Sequence, residues 1–412
     1  MSLEPVHRPV AGPGDIASAF SASHFANAVI ALVFAASAPV AIILGVGIEG
    51  GLSESDLASW IFAAFAVNGV LTIVVSLLYR TPLSFFWTIP GTVLVGPALD
   101  HLSFAEVVGA FYATGVLLLV LGMTGSVRRV MAYLPMPIIM AMVAGVFLQF
   151  GLDWIDAFSA DIWIALPMTA VFFILSLFPA VARRVPPMIG VLVAGIAAMA
   201  LTGRAPSPSM DGADGAGAWL AMPTIYSPVF SLRAMIELVV PLAVTVIAAQ
   251  NAQGIAILRS SGHQPPVNTI TSGCGLVSLI TATFGSVSTC LTGPSNAILA
   301  SGGERGGQYT AAIALGALAV VFGLLSPLFT ELMLATPPAF IATLAGLALL
   351  RVLQSAFQVS FRDRFTLGAL ISFLVTLAGY PILNIGAPFW GLVFGFIASW
   401  LLERKDFSGE QE

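Results

Sequence analysis

Three stretches of this chain place hydrogen-bonding groups inside almost purely apolar surroundings. Residues 80–100 read RTPLSFFWTIPGTVLVGPALD, and residues 284–304 read FGSVSTCLTGPSNAILASGGE. In each, Ser, Thr and aromatic or β-branched residues lead to a proline beside a glycine, Pro90-Gly91 or Gly293-Pro294. A helix starts comfortably at proline and cannot run through it unbroken. Each stretch therefore reads as a short extended strand followed by a half-length helix. A helix N-terminus presents unpaired N–H groups and the positive end of a dipole, which suits a carboxylate or an electron-rich carbonyl. The candidate donors are the backbones and side chains of Gly91, Thr92, Ser295 and Asn296, with the hydroxyls of Thr88, Ser288 and Thr289 close by. Phe85, Phe86 and Trp87 could wall a flat ring. The third stretch, AAQNAQG, carries Gln250, Asn251 and Gln253, with Thr245 upstream. Unpaired amides in hydrocarbon are costly, so this segment is expected to face a polar cavity or else to make a hydrogen-bonded helix contact, the cavity being the preferred reading.

The elements that must hold these groups follow from composition. Of 412 residues, 58% are apolar and only 8% are Asp, Glu, Lys or Arg. A soluble domain of this size covers its surface with far more charge, so the solvent for most of the chain is lipid. The cations are fourteen Arg and Lys405, without a basic cluster, which excludes a nucleic-acid partner. HExxH, GxSxG and an intramembrane Asp pair are all missing, so an enzyme is not expected. Neither a metal site nor a cofactor is read. Cys274 and Cys290 lie in apolar stretches and read as packing residues. Residues 1–23 have no short apolar core with a cleavage site, so the first apolar run is expected to stay in the membrane.

Stretches free of charge count the spans, at about 20 residues each. Ten have the length of one span: 25–48, 57–79, 81–99, 107–127, 130–152, 162–182, 185–203, 238–258, 306–330 and 332–350. Two are double, 260–303 and 365–402, broken near Phe284-Gly285-Ser286 and Tyr380-Pro381…Asn384-Ile385-Gly386, making fourteen spans. With the N-terminus inside, thirteen of the fifteen cations fall on the inner side, and only Arg204 and Arg233 lie outside. That asymmetry obeys the positive-inside rule and puts both termini in the cytoplasm.

Residues 137–148, PIIMAMVAGVFL, match 338–349, PAFIATLAGLAL, at an offset of 201. The same offset aligns Pro187, Gly190, Ile196, Ala197 and Leu201 with Pro388, Gly391, Ile397, Ala398 and Leu402. Seven spans per half is odd, so the second half inserts upside down, an architecture of secondary transporters. The expected fold is an all-α polytopic membrane protein, a 7+7 inverted repeat with half-helices and short strands in spans 3 and 10. The division is a tail 1–23, a first repeat 24–203, an outer linker 204–232, a second repeat 233–404 and a tail 405–412. Glu237 in span 8 and Glu331 at the end of span 11 are the carboxylates that could lie at membrane depth, where an ion is costly. They are the candidates to carry a proton. The small-residue pairs Ala141…Gly145 and Ala342…Gly346 allow close helix packing, within the fold or across a homodimer.

The segments Arg80-Thr-Pro82…Trp87-Thr-Ile-Pro90-Gly91, Gly109-Ala-Phe111, Pro137…Ala144-Gly145 and Pro241-Leu-Ala-Val-Thr245…Gln250-Asn251-Ala-Gln-Gly254…Leu258-Arg259 resemble the benzoate:proton symporter family. The resemblance covers roughly residues 20–404. It implies the fourteen-helix fold shared with uracil and nucleobase–ascorbate transporters. In that fold a core domain (24–127 and 233–331) carries the substrate and a gate domain (130–203 and 332–404) supports it. It also implies proton-coupled uptake of benzoate or a related aromatic or organic carboxylate across the inner membrane. The alternatives are a nucleobase or other organic-anion symporter of this fold and a passive anion channel. The family's usual Phe-Gly…Asn-Leu-Ala-Ala-Ile pattern in span 10 is replaced here by Phe284-Gly285-Ser-Val-Ser-Thr-Cys290-Leu-Thr-Gly293-Pro294-Ser-Asn296, and Ala252-Gln253 stands where Leu-Pro is common. Both departures fall where the substrate is expected. Gln250 and Asn251 stand near the place where nucleobase carriers have a Glu, which argues against a nucleobase.

Overall fold

In the computed structural model, residues 3–6, 10–36, 38–127, 135–178, 187–204, 219–301, 303–380, 382 and 387–408 are described. Arg128, Arg129, Arg183, Arg184, residues 205–218 of the 204–232 linker and the break at Pro381 and Asn384–Gly386 lie outside the described residues. A short helix α1 (Pro13–Ala19) precedes α2 (Ala22–Glu49) and α3 (Glu54–Tyr79). Strand β1 (Phe85–Trp87) leads into α4 (Ile89–Leu99), followed by α5 (Phe104–Thr124). Next come α6 (Met136–Ala160), α7 (Ile162–Leu177) and α8 (Pro187–Leu201). The second half repeats the order: α9 (Leu232–Ser260), α10 (Val267–Thr283), β2 (Thr289–Leu291), α11 (Gly293–Leu299) and α12 (Gln308–Leu324). It ends with α13 (Ser326–Leu334), α14 (Pro338–Ser360), α15 (Thr366–Ala378), α16 (Ala387–Leu402) and α17 (Arg404–Ser408).

Among the described residues, six helices are long and apolar enough to cross a membrane, and α13 with the start of α14 forms a further, bent pair at 110°. Six shorter apolar helices complete the set. Local chemistry sets several boundaries. Ser53 and Ser103 cap α3 and α5, each in a capping box with Asp56 or Glu106 three residues on. Gly125, at φ 70°, ends α5 in the left-handed region that glycine adopts without strain.

One expected span is redrawn. The 306–330 stretch is divided, because Pro327 at the start of α13 begins a new helix after α12 has stopped at Leu324. Glu331 accordingly sits on the short α13. The expected tail 1–23 is also built into the structure. The Glu4 carboxylate accepts from the backbone N–H groups of Asn268 (2.9 Å) and Thr269 (2.9 Å) at the start of α10.

Packing follows a rule of exchange. Helix α3 packs on α12, and α5 packs on α10. Swapping second with ninth and fourth with eleventh in the expected span order turns one pair into the other. The pairs α7 on α8 and α15 on α16 are related in the same way, while α6 on α14 maps onto itself. Glycine permits the closest approaches. A Cβ on Gly69 would lie 2.6 Å from the Gly316 carbonyl oxygen, and one on Gly275 would lie 2.3 Å from the Leu119 nitrogen. The small-residue pairs expected from sequence are used inside the chain. Gly145 abuts Thr376 of α15, and Gly346 abuts Trp154 and the Phe150 carbonyl of α6.

Candidate substrate site

The two broken segments meet. β1 and β2 pair antiparallel, with Phe85 opposite Leu291, Phe86 opposite Cys290 and Trp87 opposite Thr289. The ladder continues at both ends, where Thr88 N–H donates to the Ser288 carbonyl (3.0 Å) and Thr292 N–H to the Ser84 carbonyl (3.0 Å). A two-stranded ribbon is marginal alone, and backbone at this depth must find its partners within protein. Neighbouring side chains supply them. Asn251 Oδ1 accepts from Leu291 N–H (2.7 Å), and Asn296 Oδ1 accepts from Ser84 N–H (3.1 Å). Asn296 Nδ2 donates to the carbonyls of Thr292 (2.5 Å) and Ser84 (3.3 Å). Thr289 Oγ1 donates to Asn68 Oδ1 (2.8 Å).

The start of α4 is fixed in the same manner. Thr88 Oγ1 accepts from Gly91 N–H (3.2 Å) and donates to Thr245 Oγ1 (3.1 Å), which in turn donates to the Leu242 carbonyl (2.8 Å). The N–H groups of Thr92 and Asn296 donate to the carbonyls of Thr88 (2.9 Å) and Thr292 (3.2 Å). Three of the four backbone donors expected from sequence are therefore already satisfied within the two corners, because each corner caps its own helix.

Beside this ribbon lies a cavity that is partly open to solvent. Aromatic and aliphatic groups make most of its wall: Phe34, Phe86, Trp87, Phe147, Leu349 and Val352. The polar lining is Gln250, Gln253, Thr292 and Ser295, and among the described residues the lining holds no charged side chain. Gln250 sits on a π-helical stretch of α9, Thr245–Asn251, the kind of widened turn that recurs at functional sites. The Trp87 indole N–H is buried without a hydrogen-bond partner, which leaves a costly unpaired donor.

Of the residues singled out in the sequence, Trp87, Gln250 and Ser295 line this cavity. Phe85 does not; its ring packs with Leu71, Val75 and Leu83 on the other side of the ribbon, and Phe86 joins Trp87 at the wall. Thr88, Gly91, Thr92, Asn251, Thr289 and Asn296 build the ribbon and corners behind it. Ser288 is fully buried, with its hydroxyl unpartnered. Phe34, Phe147, Leu349 and Val352 were not legible as site residues, because apolar residues in apolar helices look alike until packing brings their three helices together.

The two carboxylates part company. Glu237, only 4% exposed, pairs with His101 through Oε2 and Nε2 at 3.0 Å. His101 was not singled out in the sequence; it lies 136 residues away, and only the cost of an unpartnered buried carboxylate could have prompted a search for it. Glu331 lines a second, more open cavity with Glu54, Ser55, Ser59 and residues 220–223.

Comparison with known proteins places the chain in a family. Residues 18–401 match the family model described as benzoate membrane transport protein. The chain is 30% identical to the inner membrane protein YdcO of Escherichia coli strain K12 over 89% of its own length and 92% of that protein. It is 28% identical to a benzoate membrane transport protein of Acinetobacter baylyi over 92% and 95%. Among solved structures it resembles murine Solute Carrier 26 family member A9, an anion transporter in the inward-facing state, with TM-score 0.64, 12% identity and coverage of 94% of this chain and 69% of that one. It also resembles the transmembrane domain of the cyanobacterial bicarbonate transporter BicA, with TM-score 0.62, 16% identity and coverage of 90% and 96%. These likenesses agree with an all-helical membrane fold of the kind those transporters share. The chain belongs to the benzoate membrane transport protein family, a family of transporters and not of enzymes.

Proposed function

We propose that this protein carries benzoate, or a closely related aromatic carboxylate, across the inner membrane together with a proton. The observation that carries the reading is the cavity at the meeting point of the two broken segments, with aromatic walls and uncharged polar groups. A flat ring fits against Phe34, Phe86, Trp87 and Phe147, and the carboxylate faces Gln250, Gln253 and Ser295. The Trp87 N–H, buried and unpartnered, is a donor that a bound oxygen would satisfy. An anion held by neutral donors can be released again, whereas a buried ion pair with Arg would hold it tightly.

The remaining parts of the reading follow the repeat. Fourteen spans form two inverted halves, with both termini cytoplasmic. A core built from spans 1–4 and 8–11 moves against a gate built from spans 5–7 and 12–14, exposing the cavity to each side in turn. Glu237, with His101 beside it, is the place where a proton is taken up, because either partner can carry it at a site shielded from water. Glu331 remains the second candidate.

The test uses the full chain in proteoliposomes. Labelled benzoate is expected to accumulate when the outside is acidified and to leak away when an uncoupler is added. Equilibration without accumulation would make the protein a passive facilitator, and uptake of uracil with no response to aromatic acids would overturn the substrate. Glu237→Gln is expected to leave benzoate binding intact and abolish proton-driven accumulation; unchanged coupling would remove Glu237 from the role.

A further inference from the structure

The cavity wall is assembled from several elements, α2, β1, α4, α6, α9, α11 and α14 among them. Apart from the Trp87 indole N–H on β1, its polar groups come from α9 and from the segment joining β2 to α11: Gln250, Gln253, Thr292 and Ser295. The helices α6 and α14, which pack on each other, contribute only Phe147, Leu349 and Val352. Phe147 is fully buried, Leu349 is 3% exposed and Val352 is half-buried. A ring whose carboxylate turns to the polar corner must direct its opposite edge to an apolar surface, since a charged group against Phe147 or Val352 would lose its hydration with nothing in return.

We infer that Phe147, Leu349 and Val352 form the surface that selects among ring-substituted benzoates, by limiting what fits opposite the carboxylate. This rests on the substrate reading above and adds to it a specificity surface on helices that contribute none of its polar groups. The wall is made of branched and aromatic side chains held by helix-to-helix packing, so it yields little to an oversized group. An apolar pocket discriminates one methyl group by roughly 10-fold or more, which sets the expected size of the effect.

The experiment measures how well benzoate, 4-methylbenzoate and 4-ethylbenzoate compete with labelled benzoate for uptake into proteoliposomes. The wild-type protein is expected to favour benzoate over the 4-alkyl acids. Val352→Ala is expected to raise the relative affinity for 4-methylbenzoate about tenfold while benzoate itself still binds; Val352→Phe is expected to lower it. Phe147→Leu serves beside them, since Phe147→Ala would open a large hole in a fully buried position. If the wild-type protein responds to no aromatic carboxylate, the substrate reading falls. If benzoate is carried but Val352→Ala, Val352→Phe and Phe147→Leu all leave the preference among ring-substituted acids unchanged, the substrate reading stands and the selecting surface is elsewhere.

Discussion

At the scale of single residues, polar groups that look equivalent in the sequence do different work. Asn251 and Asn296 spend their amides on backbone N–H and C=O groups of the ribbon, while Gln250 and Ser295 face the cavity. Replacing Asn296 with Ala leaves the Ser84 N–H and the Thr292 carbonyl without these partners. It is expected to cost about 2 kcal/mol and to lower the melting temperature as well as uptake. Ser295→Ala removes a hydroxyl from the cavity wall. It is expected to weaken benzoate binding and leave the melting temperature unchanged, so paired thermal-shift and uptake measurements separate the two. Trp87→Phe keeps a ring and deletes the orphaned N–H. A rise in Kd of about tenfold, with stability maintained, is expected if that N–H meets the substrate oxygen; an unchanged Kd would leave Trp87 as wall only.

At the scale of elements, short polar contacts decide where helices stop and how they are tied. Residues near 220–230 run as a strap over the ends of four helices, α3, α5, α10 and α12. Ala221 N–H donates to the Leu324 carbonyl (2.7 Å), Tyr226 N–H to that of Thr283 (2.9 Å) and Val229 N–H to that of Ala105 (2.9 Å). Ser59 Oγ accepts from Thr224 N–H (3.0 Å), and the Tyr226 hydroxyl donates to the Asp56 carboxylate. A Cβ on Gly109 would lie 2.2 Å from the Val229 carbonyl oxygen. Gly109→Ala is therefore expected to displace the strap at a cost of about 2 kcal/mol, read as a lower melting temperature.

At the other face, Glu403 accepts from the N–H groups of Leu367 (2.8 Å) and Gly368 (3.0 Å) at the start of α15 and from Ser399 Oγ (2.6 Å). Burial pushes its carboxyl up, but these hydrogen bonds prevail and hold it below its ordinary value of 4.5. A depressed carboxyl stabilises the fold above its unfolded value, and that contribution is lost as pH falls through the lowered one. Glu403→Gln should thus melt earlier than wild type at neutral pH, by about 1 kcal/mol, with the gap closing in acid below about pH 4. A gap independent of pH would remove the charge from the account.

At the scale of the whole molecule, the chain divides by what its non-membrane segments hold. The strap and the N-terminal tail both fasten helices of one set, α3, α5, α10 and α12, and the cavity lies between that set's ribbon and the pair α6–α14. The sidedness is testable because Cys274 and Cys290 are both fully buried and should not react with an impermeant maleimide. With both changed to Ser, a cysteine replacing Ser55 should label in intact cells, and one replacing Ser260 only after the membrane is opened. Labelling of both from outside would contradict the orientation.

The apolar runs, the repeat and the two interrupted segments were legible in the sequence, because lipid enforces them locally, but the span ends were not: α6 and α14 run on to Ala160 and Ser360, past Asp153 and Arg351. An apolar run needs a fixed length, a charge needs water, and proline with glycine breaks a helix wherever it falls. The pairing of the interrupted segments, the choice of Phe86 over Phe85 for the wall, the His101 partner of Glu237 and the apolar contribution of Phe147 and Val352 came only from tertiary structure. Each joins residues from different helices far apart in the chain. The composition of either partner alone carries no trace of which atoms of the other will meet it.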